Sequence, residues 1–203
     1  LYYLDQWLSV SPQSVRAGQN SRGLNENYAR ELMELHTLGV QGGYTQYDVR
    51  ELARIFTGWT ISPRSDSGFQ FVMRLHESGN KSLMGQSIPS SAASIGMTEG
   101  EQAIRFLANH PATAQRVSRR LAEYFVADSP PQDLIDLMAK TFLASGGDIY
   151  QVMKVMLNHA AFWDPENKLY RTPYDFACAS LRVLNVPQER FKWLQAFGYA
   201  AVA

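Results

Sequence analysis

LNENYARELMELHTLGVQGGYTQYDVRELARIFTGWTI, residues 24–61, is the stretch of sequence that decides the fold. Asn25 has a short polar side chain suited to the N-cap position of a helix. Gly39 suits the left-handed position that follows a helix C-terminus. Between them, apolar residues recur at spacings of four and three, as on one face of a helix: Leu24, Tyr28, Leu32, Leu35 and Leu38. The pattern predicts an amphipathic helix with all five on its buried face.

A second helix is predicted after a short turn that contains Gly42 and Gly43. No Lys-Ser or Lys-Thr pair follows these glycines, so the pattern favours a helix–helix turn over a phosphate-binding loop. Thr45 and Asp48 have the spacing of a capping box. Apolar positions then form the buried stripe, Gly58 ends the helix, and Trp59 is expected to pack back onto the pair: Val49, Leu52, Ala53 and Phe56.

Glu26, Arg30 and Glu34 follow one another at intervals of four, so they stack on one polar face of the first helix. One interpretation is an arginine positioned to bind an anion. The favoured interpretation is a structural charge network, because ion pairs on helices usually serve structure. We expect Arg30 to be partly buried and to fix the two helices to each other.

The segment at 25–59 closely resembles the signature of the bacterial domain-of-unknown-function 1800 family. Residues 76–85, 110–114 and 173–184 resemble its later blocks in the same order, so the resemblance runs from about Leu1 to about Leu184. No catalytic residues follow from it, because the activity of this family is not established. Its members are typically longer and often neighbour genes for exported, sulfatase-like proteins, which implies a periplasmic or secreted setting and an exported sulfatase-like partner.

The remaining segments predict an all-α fold, a multi-helix bundle with a small β-hairpin insertion near residues 69–88. Phe69, Phe71 and Met73 alternate with other residues as in a strand, and residues 82–88 are expected to pair with them. The length of 203 residues suits a single helical domain over residues 1–203. The chain opens on Leu1 inside an amphipathic pattern, which indicates the C-terminal portion of a longer protein.

Composition excludes some classes of function. Nineteen Lys plus Arg balance nineteen Asp plus Glu, so the chain has no general attraction for nucleic acid. No apolar run reaches the ~20 residues that a membrane-spanning helix needs. Cys178 is the only cysteine, which excludes an intrachain disulfide and a cysteine-based zinc site. It falls on the apolar face of the last helix and is expected to be an inert buried thiol.

Catalytic candidates are the ionisable groups in and after the opening segment: Glu31, Glu34, His36 and His76. Glu34 and His36 are turned by about 200° from each other at ~100° per residue, so they cannot bind one ion from a regular helix. A metal site from Glu31, Glu34 and His76 is geometrically open. Asp48 and Glu51 form a further carboxylate pair, and no motif implies a cofactor.

Two classes of function remain. The first is a helical binding or assembly module of the cell envelope, serving the sulfatase-like partner that the resemblance implies. The second is a hydrolase that uses carboxylates and histidine, with or without a metal. Whether the protein is an enzyme is left open by the sequence.

Overall fold

A computed structural model describes residues 4–12, 23–62, 68–89, 97–170 and 172–185. Within these ranges the protein is rich in helix, as predicted, while the bundle arrangement stays a prediction. The eight α-helices of this part are α1 Asn27–Glu31, α2 Gln46–Ile55, α3 Met97–Ala108, α4 Pro111–Phe125, α5 Gln132–Ala144, α6 Ile149–Asn158, α7 Ala160–Trp163 and α8 Pro173–Val183. The four strands are β1 Trp59–Ile61, β2 Phe69–Phe71, β3 Lys81–Leu83 and β4 Gln86–Ile88.

Helix α1 passes directly into a π-helical turn at Leu32–His36, where each hydrogen bond spans five residues instead of four. The wider turn rotates the residues that follow it. The buried positions are Ala29, Met33 and Leu38, and Leu35 is 54 % exposed. The prediction that Leu35 lies on the buried stripe was wrong, because the buried face passes through Ala29 and Met33 and Leu35 lies about 200° from Met33. Leu32 is half-buried and packs against the core.

Helix α2 begins with the predicted capping box, in which Asp48 N–H bonds to the Thr45 side chain and the Asp48 carboxylate accepts from Thr45 N–H. After this helix the chain turns at Gly58, whose φ of 85° favours glycine. A Cβ at this position would stand 2.8 Å from the backbone oxygen of Val72. Trp59 then packs edge-to-face on Phe56, with ring centroids 5.0 Å apart, as the sequence predicts.

The strands form two separate antiparallel pairs. Strand β1 pairs with β2, and β3 pairs with β4. The prediction that residues 82–88 pair with the strand at Phe69 was wrong. Met84 and Gly85 both have positive φ, 50° and 80°, and this two-residue turn folds the second hairpin back on itself.

The described core has two parts. The first joins α1, α2, both hairpins and α3; the second joins α4, α5, α6 and α7. Gly100 brings the backbone of α3 against the Trp59 indole, because a Cβ there would stand 2.2 Å from the ring. Between the two parts, the Arg116 guanidinium of α4 donates to the Leu35 carbonyl oxygen at 3.0 Å.

Helices α4 and α8 each begin with a proline. His110 caps α4 ahead of Pro111, and Thr172 caps α8 ahead of Pro173. Helix α8 contains no buried residue, which sets it apart from α2 to α7. Cys178 is therefore only half-buried, and its predicted full burial was wrong.

Candidate functional site

Three ionisable side chains meet inside the first part of the core, and we call His76, Lys81 and Glu99 the buried charge cluster. Their side chains are 1 %, 0 % and 2 % exposed. The Lys81 ammonium donates to Glu99 Oε2 at 2.7 Å and to the Gly79 carbonyl oxygen at 3.1 Å. The His76 Nε2 atom lies 3.3 Å from the same Glu99 oxygen and 3.3 Å from Lys81 Nζ.

Ordinary local structure directs these side chains inward. Lys81 and Leu83 are two residues apart in β3, so both point to the buried face of the hairpin. Glu99 lies four residues before the buried Ala103, on the buried face of α3. His76 follows a short 3₁₀ turn at Met73–Leu75, and its ring packs edge-to-face on Phe71.

The hydrogen bonds of His76 define its tautomer. Nδ1 lies 2.8 Å from the Thr57 carbonyl oxygen, which only accepts, so Nδ1 carries the hydrogen. Nε2 lies 3.3 Å from both the Glu99 carboxylate and the Lys81 ammonium. Lys81 and Glu99 carry opposite charges, which is the arrangement that a water-free interior tolerates.

The cluster also shifts the acidity of its carboxylate. Burial raises the pKa of Glu99, but hydrogen bonds from His76 and Lys81 outweigh burial and leave this pKa below its ordinary value of 4.5. Glu99 is thus held in its charged form inside the protein. Its second oxygen, Oε1, has no hydrogen-bond partner among the described residues.

A second set of ion pairs surrounds the cluster. The Arg54 guanidinium of α2 donates to Glu77 at 2.6 Å and also forms an ion pair with Glu51. On the same helix, Glu51 accepts the backbone N–H of Ser82 at 3.1 Å. Asp48 accepts the N–H of Met84 at 2.7 Å. Two carboxylates of α2 therefore bind the outer edge of β3 and fix the second hairpin to the helix.

This geometry suits structure better than catalysis. A catalytic acid or base must reach its substrate within hydrogen-bond distance. His76, Lys81 and Glu99 are closed off from solvent, and each bonds to its neighbours. The cluster links the segment after β2, the second hairpin and α3 at one buried point.

The structure disperses the other predicted site residues. Glu31 and Glu34 lie near Tyr44, whose pKa is raised first by burial and then by the charge of Glu34. His36 is exposed at the end of the π-helical turn. His76 instead bonds to Thr57, Lys81 and Glu99.

The metal set predicted from Glu31, Glu34 and His76 has no support in this geometry. Within the described ranges, no three His, Cys, Asp or Glu side chains lie close enough to hold a metal ion. The metal site and the catalytic assignments stay predictions.

The charge network around Arg30 has a different composition from the predicted one. Arg30 bonds to Glu26 at 3.2 Å and to Gln46 at 2.9 Å, and Gln46 Nε2 donates to Glu26 at 2.6 Å. Gln46 begins α2, so the network joins the two helices. Among the described residues, Glu34 contributes no hydrogen bond to this network. Arg30 is 38 % exposed, so its ion pair with Glu26 contributes only about 0.3–0.5 kcal/mol.

Sequence reasoning missed Lys81 and Glu99. A signal was present for both: Lys81 alternates in phase with Leu83, and Glu99 continues the spacing of Ala103 and Leu107. A charged residue on an apolar face indicates a buried pair, because such residues are almost never fully buried alone.

We expect acid to weaken the fold through Glu99. Because its pKa is lower in the folded protein, Glu99 adds stability that is fully present above its ordinary pKa of 4.5 and is lost as the pH falls through the folded value. Urea unfolding at a series of pH values should therefore show a steep loss below about pH 4.5. That loss should be smaller in Glu99→Gln and unchanged in Glu101→Gln, an exposed carboxylate of the same helix. Equal slopes in wild type and Glu99→Gln would contradict the expectation.

In the part of the chain that the structure describes, the protein is rich in helix, and a buried charge cluster holds several of its elements together. The chain belongs to the family described as protein of unknown function (DUF1800), whose model matches residues 1–203. No curated protein and no solved structure matches the chain. Within the same described ranges, no helix is long and apolar enough to cross a membrane.

Proposed function

We propose that this protein is a helical binding or assembly module of the cell envelope, built as a multi-helix bundle that serves an exported sulfatase-like partner. The envelope setting and the partner come from the family resemblance. The support in the structure is the set of exposed apolar side chains on α8 and near α6 and α7.

Helix α8 is the observation that carries this proposal. It has no buried residue, yet Tyr174, Phe176 and Val183 are 74 %, 65 % and 85 % exposed. Exposed apolar patches on a soluble domain mark surfaces that bind other molecules. Tyr150, Trp163 and Tyr170, on or after α6 and α7, are each at least 70 % exposed as well. Aromatic residues of this kind supply most of the affinity at protein interfaces.

The hydrolase alternative has less support. Its candidate residues are dispersed, and His76, which does contact a carboxylate, is enclosed with Lys81 and Glu99. The alternative stays a prediction.

The test is co-expression with an exported sulfatase-like protein of the kind encoded beside genes of this family, followed by light scattering on the size-exclusion peak. We expect a complex that Tyr174→Ser weakens by at least about tenfold in Kd, as loss of an aromatic hot spot does. Tyr47→Ser is the matched control, because Tyr47 is a 60 % exposed tyrosine of α2. Absence of a complex at micromolar concentration, or equal effects of both substitutions, would refute the proposal.

A further inference from the structure

A cavity of about 490 Å³ lies between β4 and the junction of α3 with α4. This volume falls within the range of small-molecule sites, about 300–1,000 Å³. One wall is β4 with Pro89. The other wall is one face of α3 and the residue that follows this helix. It contains four residues at helical spacing: Gln102, Arg105, Phe106 and Asn109.

The walls favour an anion. None of the described residues that line the cavity is Asp or Glu. Arg105 supplies a permanent positive charge, and it takes part in no salt bridge within the part of the chain that the structure describes. A guanidinium group binds carboxylates through paired hydrogen bonds.

Neighbouring side chains add hydrogen bonds of both kinds. The amide nitrogen of Asn109 donates to the Arg105 carbonyl oxygen at 2.8 Å, which leaves Asn109 Oδ1 as an acceptor. His110 Nδ1 accepts the Ala112 N–H at 3.2 Å, so Nε2–H is the donor of the neutral ring. Gln86 and Gln102 contribute amides that can donate or accept. Hydroxyl groups match such a mixed set.

An apolar surface accompanies the polar groups. The rings of Phe106 and His110 pack edge-to-face with centroids 5.8 Å apart, and both are half-buried. Ligand sites combine an apolar wall with a few polar groups that fix orientation. The cavity has this combination, and it uses none of the residues of the buried charge cluster or of α8.

We propose that this cavity binds a small hydroxylated carboxylate, such as an acidic sugar. Arg105 binds the carboxylate, Asn109 and the two glutamines bind hydroxyl groups, and Phe106 with His110 supports the carbon skeleton. The proposal is independent of the partner surface at α8, because the two sites share no residue.

The test uses glucuronate as the probe in isothermal titration and in NMR of the side-chain amides. Glucose, which lacks the carboxylate, and acetate, which lacks the hydroxyl groups, are the comparison ligands. We expect glucuronate to bind at least about tenfold more tightly than glucose or acetate. Its addition should shift the amide signals of Gln102 and Asn109. Arg105→Gln should remove the preference for glucuronate over glucose.

Arg50→Gln is the matched control, because Arg50 is an exposed arginine of α2 that does not line the cavity. Both variants replace exposed side chains, and circular dichroism checks that the fold is kept. Equal affinity for glucuronate and glucose would overturn the proposal. So would an unchanged preference in Arg105→Gln, or the same loss in Arg50→Gln. Loss of the sulfatase-like complex in Tyr174→Ser has no bearing on these results, so the two proposals fail separately.

Discussion

Replacing Lys81 with methionine is expected to lower the free energy of unfolding by about 3–5 kcal/mol, the cost of breaking a buried ion pair from one side. The Glu99 carboxylate would lose its 2.7 Å partner while its side chain stays 2 % exposed. His76 would also lose the ammonium that faces its Nε2 atom. Urea unfolding at neutral pH measures the change.

Two further variants separate the ion pair from simple loss of a lysine. Lys154→Met on α6 removes an exposed lysine and should change stability by no more than about 0.5 kcal/mol. The double variant Lys81→Met with Glu99→Leu should recover most of the loss, because an apolar pair can replace a buried ion pair. A loss below about 1 kcal/mol in Lys81→Met, or no recovery in the double variant, would show that the cluster does not stabilise the fold.

The second large effect is expected at Met33. Met33→Ala should cost about 2–5 kcal/mol, because it removes a side chain of 0 % exposure from the first part of the core. Leu35→Ala, two residues further on, should cost no more than about 0.5 kcal/mol. Chemical denaturation of the two variants under the same conditions measures the contrast.

This pair of variants tests which face of the first helix is buried. In a regular α-helix that continued the stripe of Leu24, Tyr28 and Leu32, Leu35 would be buried and its truncation would be costly. A larger loss in Leu35→Ala than in Met33→Ala would therefore contradict the buried face of Ala29 and Met33.

Sequence alone predicted the features that local chemistry determines. The capping box of Thr45 and Asp48 involves two residues three apart, so its spacing is visible without a fold. Pro111 and Pro173 mark the starts of α4 and α8 in the same way. The alternation of Phe69 and Phe71 correctly predicted a strand, although not its partner.

Features that depend on contacts between distant segments could not be predicted. The periodicity of the first helix fits a regular α-helix, and its π-helical turn is accompanied by packing against α4, where Arg116 binds the Leu35 carbonyl. The pairing of Lys81 with Glu99 joins residues 18 apart, and no local spacing links them. The cavity beside Arg105 likewise exists only once β4 lies near α3.

The two carboxylates of α2 also bear on aggregation. A strand edge with free N–H groups is a template on which another chain can add a strand. Glu51 and Asp48 occupy the N–H groups of Ser82 and Met84, so a helix covers the outer edge of β3 where another strand would otherwise pair. Hydrogen bonds from Thr45 and Met84 outweigh burial and lower the pKa of Asp48, so this cover withstands mild acid. Once Asp48 is protonated this cover weakens, and acid-treated protein should associate through this hairpin before its helices are lost.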